Sequence, residues 1–371
     1  MKFRVIVRKF TSYGGAEFIA LRFAYFLHSQ DLLEEVICGK SEERGVPFRV
    51  REVGYLRPGR FLKTLSFQRN VLAFLRKAPL AINFTFSKVP ECDVYVNGGG
   101  VHFSFLKYSL NAYSSWKIFL KAVSRALNPV NYFNPFIERK IFKTSGRIIA
   151  VSSLVKEDLL SYCSSFDIRA KIEVVPNPVD VKRFSKKRRK ELRSKGREFV
   201  KAGDKEYVVG FASSNFRLKG LHLLIEALSY LPEKIRLVVA GGRNPKEFIR
   251  LAEKFGVRNR VVFLGKVKEM ELFYSGIDLL AHPSYYDTFG NVVAEALSMG
   301  VPVICSKRTG AKDFVEEGKS GFVLKTFSPK EIAEKVIASV NRNWDFEANL
   351  PSDEEVFRRY VEIGEQSLRQ G

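Results

Sequence analysis

Two carboxylates in the segment His282-Pro283-Ser284-Tyr285-Tyr286-Asp287-Thr288-Phe289-Gly290-Asn291-Val292-Val293-Ala294-Glu295 are spaced to share a ligand. An apolar strand ends at Ala281, Asp287 falls in the loop that follows, and a helix is expected to begin near Gly290. The first N–H groups of such a helix, from Gly290 to about Val293, form an anion-binding end. Glu295 lies about five residues further in, roughly 7.5 Å along the axis at 1.5 Å per residue. A loop carboxylate and a helix carboxylate at that separation can grip hydroxyls at opposite ends of an elongated ligand, with phosphates between them. The apolar neighbours Val292, Val293, Ala296 and Leu297 argue against a merely solvated Glu295.

A second segment, Ser213-Ser214-Asn215-Phe216-Arg217-Leu218-Lys219-Gly220, sets two cations and a glycine at the end of an expected strand. Ligands of open α/β sheets bind there, outside the carboxyl ends of the strands. Arg217 could hold a diphosphate as a bidentate fork, and Lys219 as a mobile point charge. Asn97-Gly98-Gly99-Gly100-Val101-His102 stands at another strand exit, and His102 is a candidate for bonding a ligand hydroxyl or a backbone group. His282, beside Pro283, reads as a packing residue, and His28 and His222 show nothing distinctive. Ser152 reads as a helix N-cap.

The elements that must position these residues follow a repeated rhythm of strand, glycine-rich turn and helix, which implies parallel sheets covered on both faces. In the first half, strands are expected at 3–7, 35–38, 93–96, 147–151 and 172–175, with helices at 16–29 and 155–162. Pro176-Asn177-Pro178-Val179-Asp180 forbids helix and central strand alike and reads as a rigid turn. The rhythm then restarts, with strands at 208–212, 235–240, 261–265, 279–281 and 301–305. Helices near 219–229, 246–255, 269–275, 290–299 and 311–317 alternate with them, and a lone helix closes the chain at 353–368. The reading is two similar α/β halves joined near 176–203.

The spacing of Asp287, seven residues and Glu295, continued by Ala296-Leu297-Ser298-Met299-Gly300-Val301-Pro302-Val303-Ile304, resembles the E-x7-E signature of the family 4 retaining glycosyltransferases. The likeness is close over 205–325, including Lys219-Gly220-Leu221 and Gly318-Lys319-Ser320-Gly321-Phe322, and looser at Gly14-Gly15-Ala16-Glu17, at 148–152 and at 176–180. The stretch from Ser214 to Gly220 is most similar to the lipopolysaccharide-core α-glucosyltransferase branch. The resemblance implies the GT-B architecture, two Rossmann-like domains facing a central cleft. The acceptor domain would be 1–178, a basic linker 179–203, and the nucleotide-sugar domain 204–352. The helix of 353–371 would lie beyond the second sheet and cross back to the first domain.

The implied reaction moves a hexose from a UDP- or GDP-linked donor to an acceptor hydroxyl with the anomeric configuration retained, through front-face attack assisted by the leaving phosphate. The implied catalytic set is Asp287, Lys219, Arg217 and His102: Asp287 orients the donor sugar and Lys219 neutralises the diphosphate. Glu295 holds the ribose, and the rest of the donor site is Gly290, Asn291, Phe289, Thr288, Gly14, Gly15 and Ser214. No metal and no cofactor beyond the donor are expected, because no Asp-x-Asp pair stands at a strand end and fixed cations supply the charge. The sequence departs from the family pattern twice. Asp287 stands where glutamate is usual, one methylene shorter, and Ser214 stands where many members carry arginine.

The chain has 371 residues, 46% apolar and 27% charged, a globular composition that excludes a mainly disordered or fibrous protein. Lysine and arginine number 62 against 40 acidic residues, and the excess is uneven. Residues 1–180 carry 27 basic and 15 acidic side chains, 181–201 carry 11 and 2, and 202–371 carry 24 and 23. The charge suggests an anionic or lipid-linked acceptor and a peripheral contact with anionic membrane. Within 103–127, Phe103, Phe105, Lys107, Tyr108, Tyr113, Trp116, Lys117, Phe119, Lys121 and Arg125 read either as a membrane-facing segment or as a core helix with solvated lysines. The run from Lys182 to Lys190 reads as solvated surface or as a second membrane-facing segment.

No apolar run reaches the roughly 18 residues of a spanning helix. The charged start Met1–Arg8 does not resemble a signal peptide, and Cys38, Cys92, Cys163 and Cys305, far apart, read as reduced thiols. The expected location is therefore cytoplasmic, peripheral on the inner face of the membrane, with the product in surface polysaccharide, glycolipid or lipopolysaccharide-like assembly. Two rival readings are a nucleotide-sugar epimerase of the same architecture and a non-catalytic basic protein that binds nucleic acid. No nucleic-acid motif is present, and no nucleic-acid partner is expected.

Overall fold

The computed structural model describes residues 1–371 except 57, 58, 114, 165, 167, 169, 204, 243 and 369–371. The side chains of Arg60, Ser115 and Lys117 also lie outside the described residues, so the expectation placed on Lys117 does too. The chain divides into two units, one of Met1–Leu110, Ser115–Pro178 and Pro351–Gly371, the other of Asn111–Ser114 and Val179–Leu350.

The first unit runs β1 (Phe3–Phe10), α1 (Ala16–Ser29), β2 (Leu33–Ser41), β3 (Val50–Glu52), α2 (Arg60–Leu75), β4 (Ile82–Thr85) and β5 (Val94–Asn97). It continues through α3 (His102–Leu110), α4 (Ser115–Ala126), α5 (Val130–Thr144), β6 (Arg147–Ala150), α6 (Ser153–Cys163) and β7 (Lys171–Val174). Its seven strands lie in the order β3-β2-β1-β4-β5-β6-β7 and every pair is parallel. Parallel strands flanked by crossover helices are buried on both faces. That is why β5 and β6, mostly apolar, show no alternation and are buried at every residue. Ser152 caps α6 as expected, its hydroxyl accepting the Val155 N–H at 3.2 Å.

The second unit runs α7 (Lys186–Phe199), β8 (Tyr207–Ala212), α8 (Leu221–Leu228), β9 (Ile235–Ala240), α9 (Lys246–Lys254), β10 (Val261–Gly265) and α10 (Met270–Gly276). It ends with β11 (Leu279–His282), α11 (Asn291–Ser298), β12 (Val303–Ser306), β13 (Gly321–Leu324) and α12 (Pro329–Val340). Its six strands, all parallel, take the order β10-β9-β8-β11-β12-β13. The order reverses between β8 and β11, the topological switch point at which open α/β sheets leave a crevice above their carboxyl ends. The last helix, α13 (Asp353–Leu368), belongs to the first unit. Phe357 and Tyr360 bring it onto α1, each ring centroid 5.4 Å from that of Phe23.

The stretch 179–203 does not behave as a linker: it belongs to the second unit and holds the fourteen-residue α7. Three of its arginines are consumed by carbonyl groups at the ends of α10 and α11. Arg189 donates to Gly300 O at 2.6 Å and Ile277 O at 3.2 Å, and Arg193 donates to Ser275 O at 2.8 Å and Ile277 O at 3.0 Å. Arg197 donates to Gly276 O and to the Asp278 carboxylate at 3.1 Å. The last carbonyls of a helix have no partners within it and carry partial negative charge, so guanidinium groups suit them.

The segment 103–127 forms two helices, α3 and α4, and not one. Trp116 and Phe119 are each 67% exposed on α4, and Leu120, Val123 and Leu127 are exposed with them, so α4 is not a core helix. No helix among the described residues is long and apolar enough to cross a membrane.

Candidate functional site

Because β8 and β11 are neighbours, the loops that leave them run side by side at the switch point. The two loops are tied by backbone: Tyr285 N–H donates to Leu218 O at 3.0 Å. Each loop enters its helix through a left-handed glycine, Gly220 at φ +81° before α8 and Gly290 at φ +91° before α11. A Cβ at Gly220 would strike the Pro283 carbonyl, and one at Gly290 would come within 2.7 Å of Thr309 Cγ2. Both turns therefore need glycine for conformation and for space.

This close approach brings together Lys219 and Asp287, which are far apart in sequence. Lys219 Nζ lies 2.7 Å from Asp287 Oδ2 and donates to Tyr286 O at 3.0 Å. The same carboxylate oxygen accepts from His282 Nε2 at 2.9 Å. The Asp287 backbone is fixed as well, its N–H on Arg308 O at 2.9 Å and its carbonyl on Gly310 N–H at 3.0 Å. Burial alone would raise the Asp287 carboxyl, but the Lys219 ammonium and the His282 N–H hold it well below the usual carboxylate range. His282 is buried, which lowers its pKa and keeps the ring neutral. With Nε2 donating to Asp287, its Nδ1 has no hydrogen-bond partner.

Glu295 lies on α11 and is partly exposed. Its carboxylate accepts from the Tyr274 hydroxyl at 2.7 Å. Tyr274, fully buried on α10, has its phenol pushed well above the ordinary value by burial and by Glu295, so it stays a donor. Gly290 O accepts the first intrahelical bonds of α11, from Val293 N–H at 2.9 Å and Ala294 N–H at 3.4 Å. The positive end of that helix thus lies three residues past Asp287. Phe289 is buried with its ring near Phe314, Thr288 and Asn291 are partly buried, and Ser214 is exposed.

Arg217 is placed differently from Lys219. Its guanidinium forms an ion pair with Glu247, donates to Ala112 O at 3.3 Å and lies over the Tyr113 ring. His222 stacks on Tyr285 and meets its hydroxyl at 3.0 Å. Among the described residues no group of three or more His, Cys, Asp or Glu side chains could hold a metal ion.

The other expected site residues lie in the first unit. Gly14 and Gly15 are exposed at the start of α1, Gly14 with φ +122°. His102 opens α3, its Nε2 3.1 Å from Asn131 Oδ1 and its Nδ1 3.5 Å from Asn134 Nδ2. Burial, with Lys88 next, lowers its pKa to about 4, so the ring is neutral. Beneath it, the buried Glu138 accepts the His102 backbone N–H at 3.0 and 3.1 Å and pairs with Lys88 at 2.5 Å.

Four partners escaped the sequence reading: His282, Tyr274, Glu138 and Asn131. Only His282 carried a usable signal, its place at a strand end five residues before Asp287. The others come from α10 and α5, and nothing in their spacing links them to the site.

Comparison with known proteins adds family and fold. A family model for glycosyl transferases group 1 matches residues 193–351, and one for Glycosyltransferase Family 4 matches residues 13–183. The lipopolysaccharide glucosyltransferase WaaG of Escherichia coli is 36% identical over 126 residues, 33% of this chain and 34% of that protein. The chain spans less than two thirds of the length of the curated relatives it matches. Among solved structures, that of WaaG superimposes with a TM-score of 0.76 over 98% of this chain and 94% of its own, at 19% identity. The structure of Anabaena Alr3699/HepE in complex with UDP and glucose superimposes with a TM-score of 0.69, over 98% of both chains and also at 19% identity. These likenesses establish the fold, two Rossmann-like domains of the GT-B kind.

Proposed function

The chain belongs to the group 1 and family 4 glycosyltransferases, and on that premise we propose that it transfers a hexose from a UDP- or GDP-linked donor to an acceptor hydroxyl with retention and without a metal. The observation that carries this reading is the Lys219–Asp287–His282 cluster at the β8/β11 switch point, one turn of chain from the start of α11. Donor diphosphate reaching Lys219 would draw the ammonium from Asp287 and leave that carboxylate, held by His282, to accept hydroxyls of the sugar. Lys219 and the positive end of α11 then stabilise the charge that develops on the departing diphosphate. Glu295, steadied by Tyr274, accepts from the ribose. The UDP and glucose bound in the Anabaena complex support a uridine-linked donor.

The acceptor we assign is anionic or lipid-linked, within surface polysaccharide or lipopolysaccharide-like assembly, with the enzyme peripheral on the cytoplasmic face of a membrane. The excess of cations in residues 1–180 and the exposed Trp116 and Phe119 support this placement. Flotation with anionic and with neutral vesicles checks it, and equal recovery with both removes the support.

For the site itself, Lys219→Ala should lower transfer about 10²–10³-fold, the scale of losing one donor to developing charge. Glu295→Ala should weaken nucleotide binding about tenfold or more, as expected for a lost hydrogen bond to a charged group. Near-normal transfer and nucleotide binding in both variants would show the assignment to be wrong.

A further inference from the structure

The first unit holds a groove of about 510 Å³ between α2 and α5, apart from every residue assigned above to the donor. That volume lies in the roughly 300–1,000 Å³ range of small-molecule sites. Leu65 and Leu72 of α2 and Phe133, Phe136 and Ile137 of α5 line its apolar surface. Phe136 is 68% exposed and Leu65 is also exposed, so the apolar surface is left open.

The polar part of the lining is one-sided in charge. Arg69 of α2 and Arg76, the residue that follows the helix, are two turns apart on the face that carries Leu65 and Leu72; both line the groove, and neither has an ion-pair partner among the described residues. Lys140 closes the rim, half-exposed and paired at 2.8 Å with Glu91, which is not part of the lining. No carboxylate lines the groove. An apolar trough edged by unpaired guanidinium groups matches a molecule with a hydrocarbon chain and an anionic head, and it disfavours zwitterions and plain hydrocarbons.

We propose that this groove binds one acyl chain of an anionic phospholipid, with the phosphate held by Arg69 and Arg76. The site deepens the membrane part of the reading above and rests on that part only, not on the donor chemistry. A chain seated here would fix the first unit on a leaflet at a set depth, which exposed aromatic residues alone would not do.

The test uses the full-length protein and two single-chain probes below their micelle concentrations, lysophosphatidylglycerol and lysophosphatidylcholine, followed by titration calorimetry. The wild type should bind the phosphatidylglycerol form saturably, one per chain, and about tenfold more tightly than the phosphatidylcholine form, as unpaired guanidinium groups at the rim imply. Ala73→Trp fills the groove from an exposed lining position. Excluding about two methylenes should weaken binding roughly tenfold. Arg69→Gln with Arg76→Gln, also at exposed positions, should erase the preference between head groups while keeping chain binding. Equal affinity for both probes in the wild type, or unchanged affinity in Ala73→Trp, overturns the proposal. So does displacement of the probe by inorganic phosphate alone, or binding only to an acidic amphipathic peptide. In the same samples UDP should raise the melting temperature of the wild type and of Ala73→Trp alike. Loss of that shift in the wild type counts against the donor reading and leaves the groove standing.

Discussion

Each unit sets a lysine, a carboxylate and a histidine around the end of a strand, and the two trios are used in opposite ways. In the first, Glu138 takes the Lys88 ammonium on one side and the His102 backbone N–H on the other, and its side chain is 1% exposed. Burial outweighs the partners, and the carboxyl is pushed above its ordinary value. In the second, the Asp287 side chain is 18% exposed, and its partners outweigh burial and hold it down. The buried carboxylate finishes a helix start, with its capacity used by the protein itself. The accessible one is held charged beside a lysine that a competing anion can draw away. The same three residue types thus give structure or chemistry according to what solvent can reach.

The contrast is tested most severely by removing each lysine. Lys88→Met leaves Glu138 buried without its counter-charge, which should cost about 3–5 kcal/mol. For a unit of this size that is a fall in Tm of roughly 6–20 °C. Lys219→Met leaves Asp287, 18% exposed, with the His282 N–H, so the loss should be smaller, about 1.5–3 kcal/mol, the range of a hydrogen bond to a charged group. Thermal denaturation of the two variants side by side measures the difference, and equal losses would erase the distinction drawn here.

A smaller effect separates the histidines. His102 gives Glu138 only its backbone N–H, whereas His282 gives Asp287 its ring. His282→Phe removes a hydrogen bond to a charged group, worth about 1.5–3 kcal/mol, and should lower transfer roughly tenfold by letting the carboxylate turn. His282→Gln keeps a side-chain donor and should recover much of that loss. If Phe and Gln behave alike in steady-state transfer, His282 only packs, as its neighbour Pro283 first suggested.

What could be read in the sequence follows from the range of the forces involved. Helix α1 and strands β9 and β10 are found at the expected residues, because apolar periodicity is a local property. The Asp287–Glu295 spacing was visible for the same reason. Strand β4, four residues without strict alternation, and the whole of α2 were not anticipated. The basic run of 182–190 is solvated at most of its cations, as one of its two readings had it, but composition records a guanidinium and not its acceptor: Arg189 is satisfied by carbonyls of Ile277 and Gly300. Arg217 was read beside Lys219 on adjacency, yet the turn from Arg217 to Gly220 sends the two cations to Glu247 and to Asp287. Side chains that differ by two positions in a turn need not share a face, and only the backbone decides.

The finest separation of the trios is in their response to acid. His102 titrates at about 4 in the folded chain, lowered by burial and by Lys88, against an ordinary value of about 6.5. As pH falls, the unfolded chain therefore binds this proton first and the folded chain only near the lower value. The stability His102 contributes is complete above about pH 6.5 and is lost as pH falls from there toward 4. Asp287 behaves otherwise: its pKa is depressed, so its contribution is intact above the ordinary carboxylate range of about 4 and fades only below it. His102→Gln carries no titrating ring, so its Tm should lie below that of the wild type by a constant margin above pH 7, and that margin should shrink between pH 6.5 and 4. Melting curves across that window decide the matter. A margin that stays constant through it would mean that the imidazole is solvated in the folded chain and that the first trio is as open as the second.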